Sequence, residues 1–79
     1  MNPLKNNSIN LSEVTVKTFK PEMIKNIREK NNISQSVMAR LLNTSVSSVQ
    51  HWEIGHRQPS GSALKLLNII DRHGISPLL

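Results

Sequence analysis

The sequence has no cysteine and no tyrosine, and its only aromatics are one tryptophan and one phenylalanine. Without cysteine, a disulfide framework and a thiolate-ligated zinc site are both excluded. Acidic residues are scarce: five Asp and Glu stand against ten Lys and Arg, giving a formal charge of +5. That balance favours a polyanionic partner, nucleic acid before an anionic membrane surface, although modest net charge also serves plain solubility. No stretch approaches the roughly 20 apolar residues of a membrane span, and the N-terminus carries no apolar signal segment. A cytoplasmic protein without a membrane partner is therefore expected. No carboxylate pair is placed for acid–base work, and there is no glycine-rich phosphate loop or nucleophile–base arrangement. Neither an enzyme nor a cofactor is expected. Of the three histidines, His51 and His56 are five apart with Gly55 between them, so they should not share a helical face, and no metal site is expected.

Seventy-nine residues allow one domain with a small core. Residues 1–12 are rich in Asn and Lys, carry Pro3 and lack a helical period, so a flexible arm is expected. Residues 13–19 (EVTVKTF) alternate β-branched and other side chains, the pattern of a short strand. A lone strand needs a partner edge, and the rest of the chain reads as helical. We divide the chain into an arm, 1–19, and a helical domain, 20–79.

The domain opens at Pro21, suited to the first helical position, with Glu22 near the positive end of the helix dipole. Met23, Ile24 and Ile27 form the inner face, and Asn31-Asn32 ends this helix. Ser34 caps a second helix running to about Leu42, where Asn43 can turn left-handed. Ser45 caps a third, from Val46 to about Ile54, closed by Gly55. A fourth begins after Pro59 with Ser60 as its cap, and turns Ala63, Leu66, Leu67 and Ile70 inward. Gly74 should end it in a Schellman closure, with Ile75 folded back on Ile70. Residues 76–79 form one more turn or a free end. The expected fold is all-α: a compact bundle of four to five short helices with a central helix-turn-helix, preceded by the arm.

In the segment Ser34 to Pro59, two apolar sets (Val37, Met38, Leu41, Leu42, then Val49, Trp52) flank the polar turn Asn43-Thr44-Ser45. Val49 and Trp52 should lock the third helix to its scaffold, with Trp52 in the core. Its other face offers Ser45, Val46, Ser47, Gln50 and His51 as candidates for contact with DNA bases. Gln can pair bidentately with adenine, Ser bonds several base edges, and Val46 can meet a thymine methyl. The plainer alternatives are a cap for Ser45, partial burial for Val46, and ordinary solvation for Gln50 and His51. Gln35, Arg40, His56, Arg57 and Lys65 are candidates for phosphate contact, with solvated surface groups as the rival reading.

These residues carry a resemblance. The stretch from Ile24 to Leu67 resembles the Cro and phage-repressor (XRE) helix-turn-helix family at Gln35, Ala39, Asn43, Val49 and Trp52, with Asn43 where that family usually has glycine. The resemblance implies a buried structural ion pair between Arg28 and Glu53. The string WEIGHRQPSGSALKLL further resembles the HigA-type antitoxins of type II toxin–antitoxin operons. It implies a homodimer that represses its own operon at a pseudo-palindromic double-stranded DNA operator and neutralises a cognate ribonuclease toxin. One recognition helix covers only about four or five base pairs, so two half-sites about one turn (~34 Å) apart are expected. The strand at 13–19 then has three roles open: pairing with a second copy, adding to a toxin's sheet edge, or packing on its own domain. Two other functions stand beside the antitoxin: a phage-type repressor without a toxin, and a toxin-binding module that does not read DNA.

Overall fold

The computed structural model describes residues 16–79. The arm expected over residues 1–12 and the first part of the expected strand, residues 13–15, lie outside them. Four helices follow in order, α1 Pro21–Lys30, α2 Gln35–Leu41, α3 Val46–Glu53 and α4 Gly61–His73, and a 3₁₀ turn at Ser76–Leu78 ends the chain. The all-helical bundle is as expected. There is no strand among the described residues, and none of their helices is long and apolar enough to cross a membrane.

Local chemistry sets most of the helix ends. The Ser34 Oγ accepts from the Val37 N–H at 3.1 Å, and the Ser45 Oγ from the Ser48 N–H at 3.0 Å. Each bond satisfies an otherwise orphaned donor and contributes about 1 kcal/mol. The first three C-termini share one device. Asn32, Asn43 and Gly55 take positive φ values of 57°, 53° and 83°. The following N–H then reaches back: Ile33 to the Arg28 carbonyl (3.2 Å), Thr44 to Ala39 (2.9 Å) and His56 to His51 (2.9 Å). These are Schellman closures, and the one at Asn43 reverses the chain tightly enough to pack α3 on α2.

The fourth helix departs from expectation at both ends. Ser60 holds the cap position, but its side chain makes no cap hydrogen bond. The chain enters α4 through Gly61 at φ 58°, which does not present the first-turn N–H groups to the serine in the usual way. At the other end Gly74 has φ 76° but an extended ψ of −168°, so the Schellman closure is replaced by a single bond from its N–H to the Ile70 carbonyl, 2.8 Å. Ile75 still packs against the core, as does Leu78 of the 3₁₀ turn.

The core comprises Phe19, Ile24, Ile27, Met38, Ala39, Leu42, Val49, Trp52, Leu67 and Ile70. Several apolar assignments change. Val37 is 40% exposed and Leu41 only half-buried, because α2 turns the Met38–Ala39–Leu42 side inward. Ala63 and Leu66 are likewise half-buried, at the margin of the α4 face that Leu67 and Ile70 carry.

The strand expected at 13–19 does not form over its described part, residues 16–19. Residues 16–19 join no ladder, and Phe19 is a core residue. Their partner is a side chain. Asn68 of α4, buried to 5%, accepts from the Lys17 N–H and donates to the Lys17 carbonyl, both at 3.0 Å, and donates also to the Leu64 carbonyl at 2.9 Å. One carboxamide thus gives Lys17 the two bonds that a neighbouring strand would supply. Lys17 also pairs with Asp71 at 2.8 Å and lies over the Phe19 ring, 5.4 Å from its centroid. The Lys17 side chain is half exposed, so the ion pair adds little, and the segment is held by the buried asparagine and by Phe19 in the core.

Candidate nucleic-acid interface

Helix α3 has two chemically distinct sides. Val49 is fully buried and Trp52 is 6% exposed, so this side is fixed to α1 and α2. The other side carries Ser47 and Gln50, both exposed, with His51 one turn after Ser47 and half-covered. Val46 is 36% exposed, which places it on the open side rather than in the buried stripe. Ser45 is exposed as well, but its hydroxyl is engaged with Ser48, accepting from the backbone and lying 3.0 Å from Ser48 Oγ. Its capping role is therefore structural fact, and any contact it makes with a ligand is additional.

Arg40, His56, Arg57 and Lys65 are exposed. Gln35 differs: its Nε2 donates to Glu53 Oε1 at 3.2 Å, which turns the amide nitrogen inward. At the start of α2 the backbone N–H groups, rather than this amide nitrogen, are what remains to offer a phosphate.

The inward turn of Gln35 completes a network that positions α3. Arg28 of α1 meets Glu53 at the end of α3 through two parallel bonds, Nε to Oε2 at 2.7 Å and Nη2 to Oε1 at 3.0 Å. Its Nη1 donates to the Ile33 carbonyl at 3.2 Å. The side chains are 15% and 5% exposed, so the pair is largely withdrawn from water. Burial pushes the Glu53 carboxyl up, but hydrogen bonds from Arg28 and Gln35, with the charges of Arg28 and Lys25, outweigh it and hold the group below the usual carboxylate range. The bond to Glu53 raises the Arg28 guanidinium in turn, against its own desolvation. Three helices are thereby tied at one carboxylate.

His51 and His56 overturn a spacing argument. Their ring centroids lie 5.6 Å apart with planes tilted by 44°. The five-residue interval would separate them on a continuous helix, but the closure at Gly55 folds His56 back against α3. Among the described residues no three His, Asp or Glu side chains converge on a point.

Residues 24–68 match the family described as Helix-turn-helix. The chain belongs to that family. This helix-turn-helix protein is similar to Antitoxin HigA-2 of Vibrio cholerae serotype O1 (strain ATCC 39315 / El Tor Inaba N16961), with 40% identity over 63 residues, covering 80% of this chain and 61% of that one. It is similar also to Antitoxin MqsA of Escherichia coli (strain K12), with 31% identity over 62 residues, covering 78% and 47% respectively. The chain thus spans between about half and three-fifths of the length of these curated relatives. The resemblance to XRE-type antitoxins read from the residues is borne out by these matches.

Beside the open side of α3, the helix-turn-helix holds a polar groove that sequence reading did not single out. Thr44, Ser48, Arg57, Gln58 and Ser60 line it, together with Trp52 and Ala63. The legible signal was the pair of hydroxyls four residues apart at Thr44 and Ser48. The approach of the α3–α4 loop to them depends on how α4 packs.

Proposed function

We propose that this helix-turn-helix protein is a sequence-specific DNA-binding regulator of the antitoxin kind, which represses its own operon and neutralises a cognate ribonuclease toxin. The observation that carries the reading is the two-sidedness of α3: Val49 and Trp52 anchor it while Ser47 and Gln50 stand free. Such a helix, laid in the major groove, reads base edges with its outer side chains. Gln50, Ser47 and His51 supply hydrogen bonds, Val46 meets a thymine methyl, and Ser45 contributes from the helix start. Arg40, Arg57 and Lys65, with His56 and the start of α2 at Gln35, hold phosphates and set the register without reading sequence. A homodimer places two such helices on a pseudo-palindromic operator, about 34 Å apart. The antitoxin role rests on the relatives named above.

A gel-shift titration against duplex DNA from the chain's own promoter region tests the DNA reading. Three cationic contacts per protomer, six per dimer, predict a log–log salt slope near −5, a loss of roughly a thousandfold between about 50 and 200 mM salt. Arg57→Ala should flatten that slope by about one unit per protomer and weaken all sequences alike. An absent or salt-insensitive shift would leave a protein-interaction module instead. For the toxin, co-purification with the product of the neighbouring reading frame is the direct measurement. A deletion ending at residue 15 keeps Phe19 and the Asn68 bonds, and so separates the arm's contribution from damage to the core.

A further inference from the structure

On the open side of α3, the fold narrows the hydrogen-bonding character of His51. Its Nδ1 is buried without a partner, while the ring as a whole is only partly covered. Its Nε2 makes no hydrogen bond among the described residues. A neutral imidazole has one donor and one acceptor nitrogen. An orphaned N–H inside a protein is rarer than an orphaned acceptor lone pair, because the unmet donor forfeits its full solvation. The proton of the neutral ring therefore belongs on Nε2. The doubly protonated ring carries a proton there too, so the outer nitrogen of His51 is a donor in either charge state.

The geometry points to His51 as a single-donor reader of the major groove, resting on the DNA-binding reading above. It selects a base-edge acceptor (guanine O6 or N7, adenine N7, thymine O4) and rejects the exocyclic amines of adenine and cytosine. Gln50, with a donor and an acceptor on one amide, has no such bias.

The test uses the duplex that the full chain enriches from a randomised pool, with each base pair then replaced in turn. Wild type should show one pair per half-site where loss of the acceptor weakens binding about tenfold or more, and His51→Ala should bind both versions of that duplex equally. Nitrogen-15 spectra of the neutral His51 ring should place the proton on Nε2. A proton on Nδ1, or an enriched duplex without any His51-dependent pair, overturns the assignment while leaving DNA binding intact. A pool from which nothing is enriched sinks the DNA reading itself, and this one with it.

Discussion

Glu53→Ala strands three donors at once: Arg28 Nε, Arg28 Nη2 and Gln35 Nε2 all lose their acceptor. Breaking one half of a largely buried pair costs about 3–5 kcal/mol, because the surviving charge is left without compensation. The low end, about 3 kcal/mol, applies here. Arg28 keeps its bond to the Ile33 carbonyl, and 15% of its side chain reaches water. A chain of 79 residues has about 4–12 kcal/mol of stability in total, so the substitution removes a large share of it. With roughly 4–8 °C of Tm per kcal/mol at this size, melting should fall by roughly 12–24 °C. Circular-dichroism melts and urea unfolding give the number. The deficit should change little with salt, since the pair is shielded from counterions. DNA affinity should fall as well, since this carboxylate ties the end of α3 to α1 and α2. The control is Arg28→Met combined with Glu53→Leu, which removes both charges and should recover most of that loss, the Gln35 amide and the Ile33 carbonyl being left without these partners. A Glu53→Ala protein melting within about 4 °C of wild type, or a double variant no better than the single one, would refute the argument that a buried charge is the cost.

The same carboxylate sets an acid limit. An acid held below its ordinary range binds its proton less tightly folded than unfolded, so its contribution is complete above the unfolded value near 4.3 and is lost as pH falls through the folded one. Urea titrations down to about pH 3 should show wild type losing more stability below about pH 4 than the double variant does; equal losses would exclude Glu53 as the source. Asn68→Leu should leave both backbone groups of Lys17 unpaired, costing about 2–3 kcal/mol, and hydrogen exchange at the Lys17 amide should accelerate; unchanged protection would mean the segment is held by Phe19 alone. Val37→Ser should shift stability by no more than about 0.5 kcal/mol, whereas Met38→Ala, its fully buried neighbour, should cost about 2–5 kcal/mol. Comparable losses for the two would show α2 rotated from the orientation described.

The helices and most of their ends were legible because their causes are local. A serine cap acts on an N–H three residues on, and a left-handed Asn or Gly closes a turn over five. Ser60 was misread for an equally local reason, the left-handed Gly61 beside it. Phase was harder. In α2, four of the seven residues from 35 to 41 are apolar, as is Leu42 at its C-terminus, and only the position of α3 decides that Met38 goes in while Val37 stays out. The open side of α3 could be read from Val49 and Trp52, which left Ser47, Gln50 and His51 on the remaining arc.

Other features have no local trace. Asn68 and Lys17 are 51 residues apart, and nothing in EVTVKTF says that its partner edge is a side chain. Arg28 and Glu53, 25 apart, were suggested only by family resemblance, and the inclusion of Gln35 in their network came from the packing. The two histidines meet because a spacing rule for continuous helices lapses where the helix stops at Gly55. Read alone, the sequence determined the helices, most of their termini and the polar inventory of α3, since each depends on neighbours within about one turn. The packed helices decided which of those polar groups face water, which nitrogen of His51 is covered, and which carboxylate ties the bundle, since each depends on contacts that exist only once distant segments have been brought together.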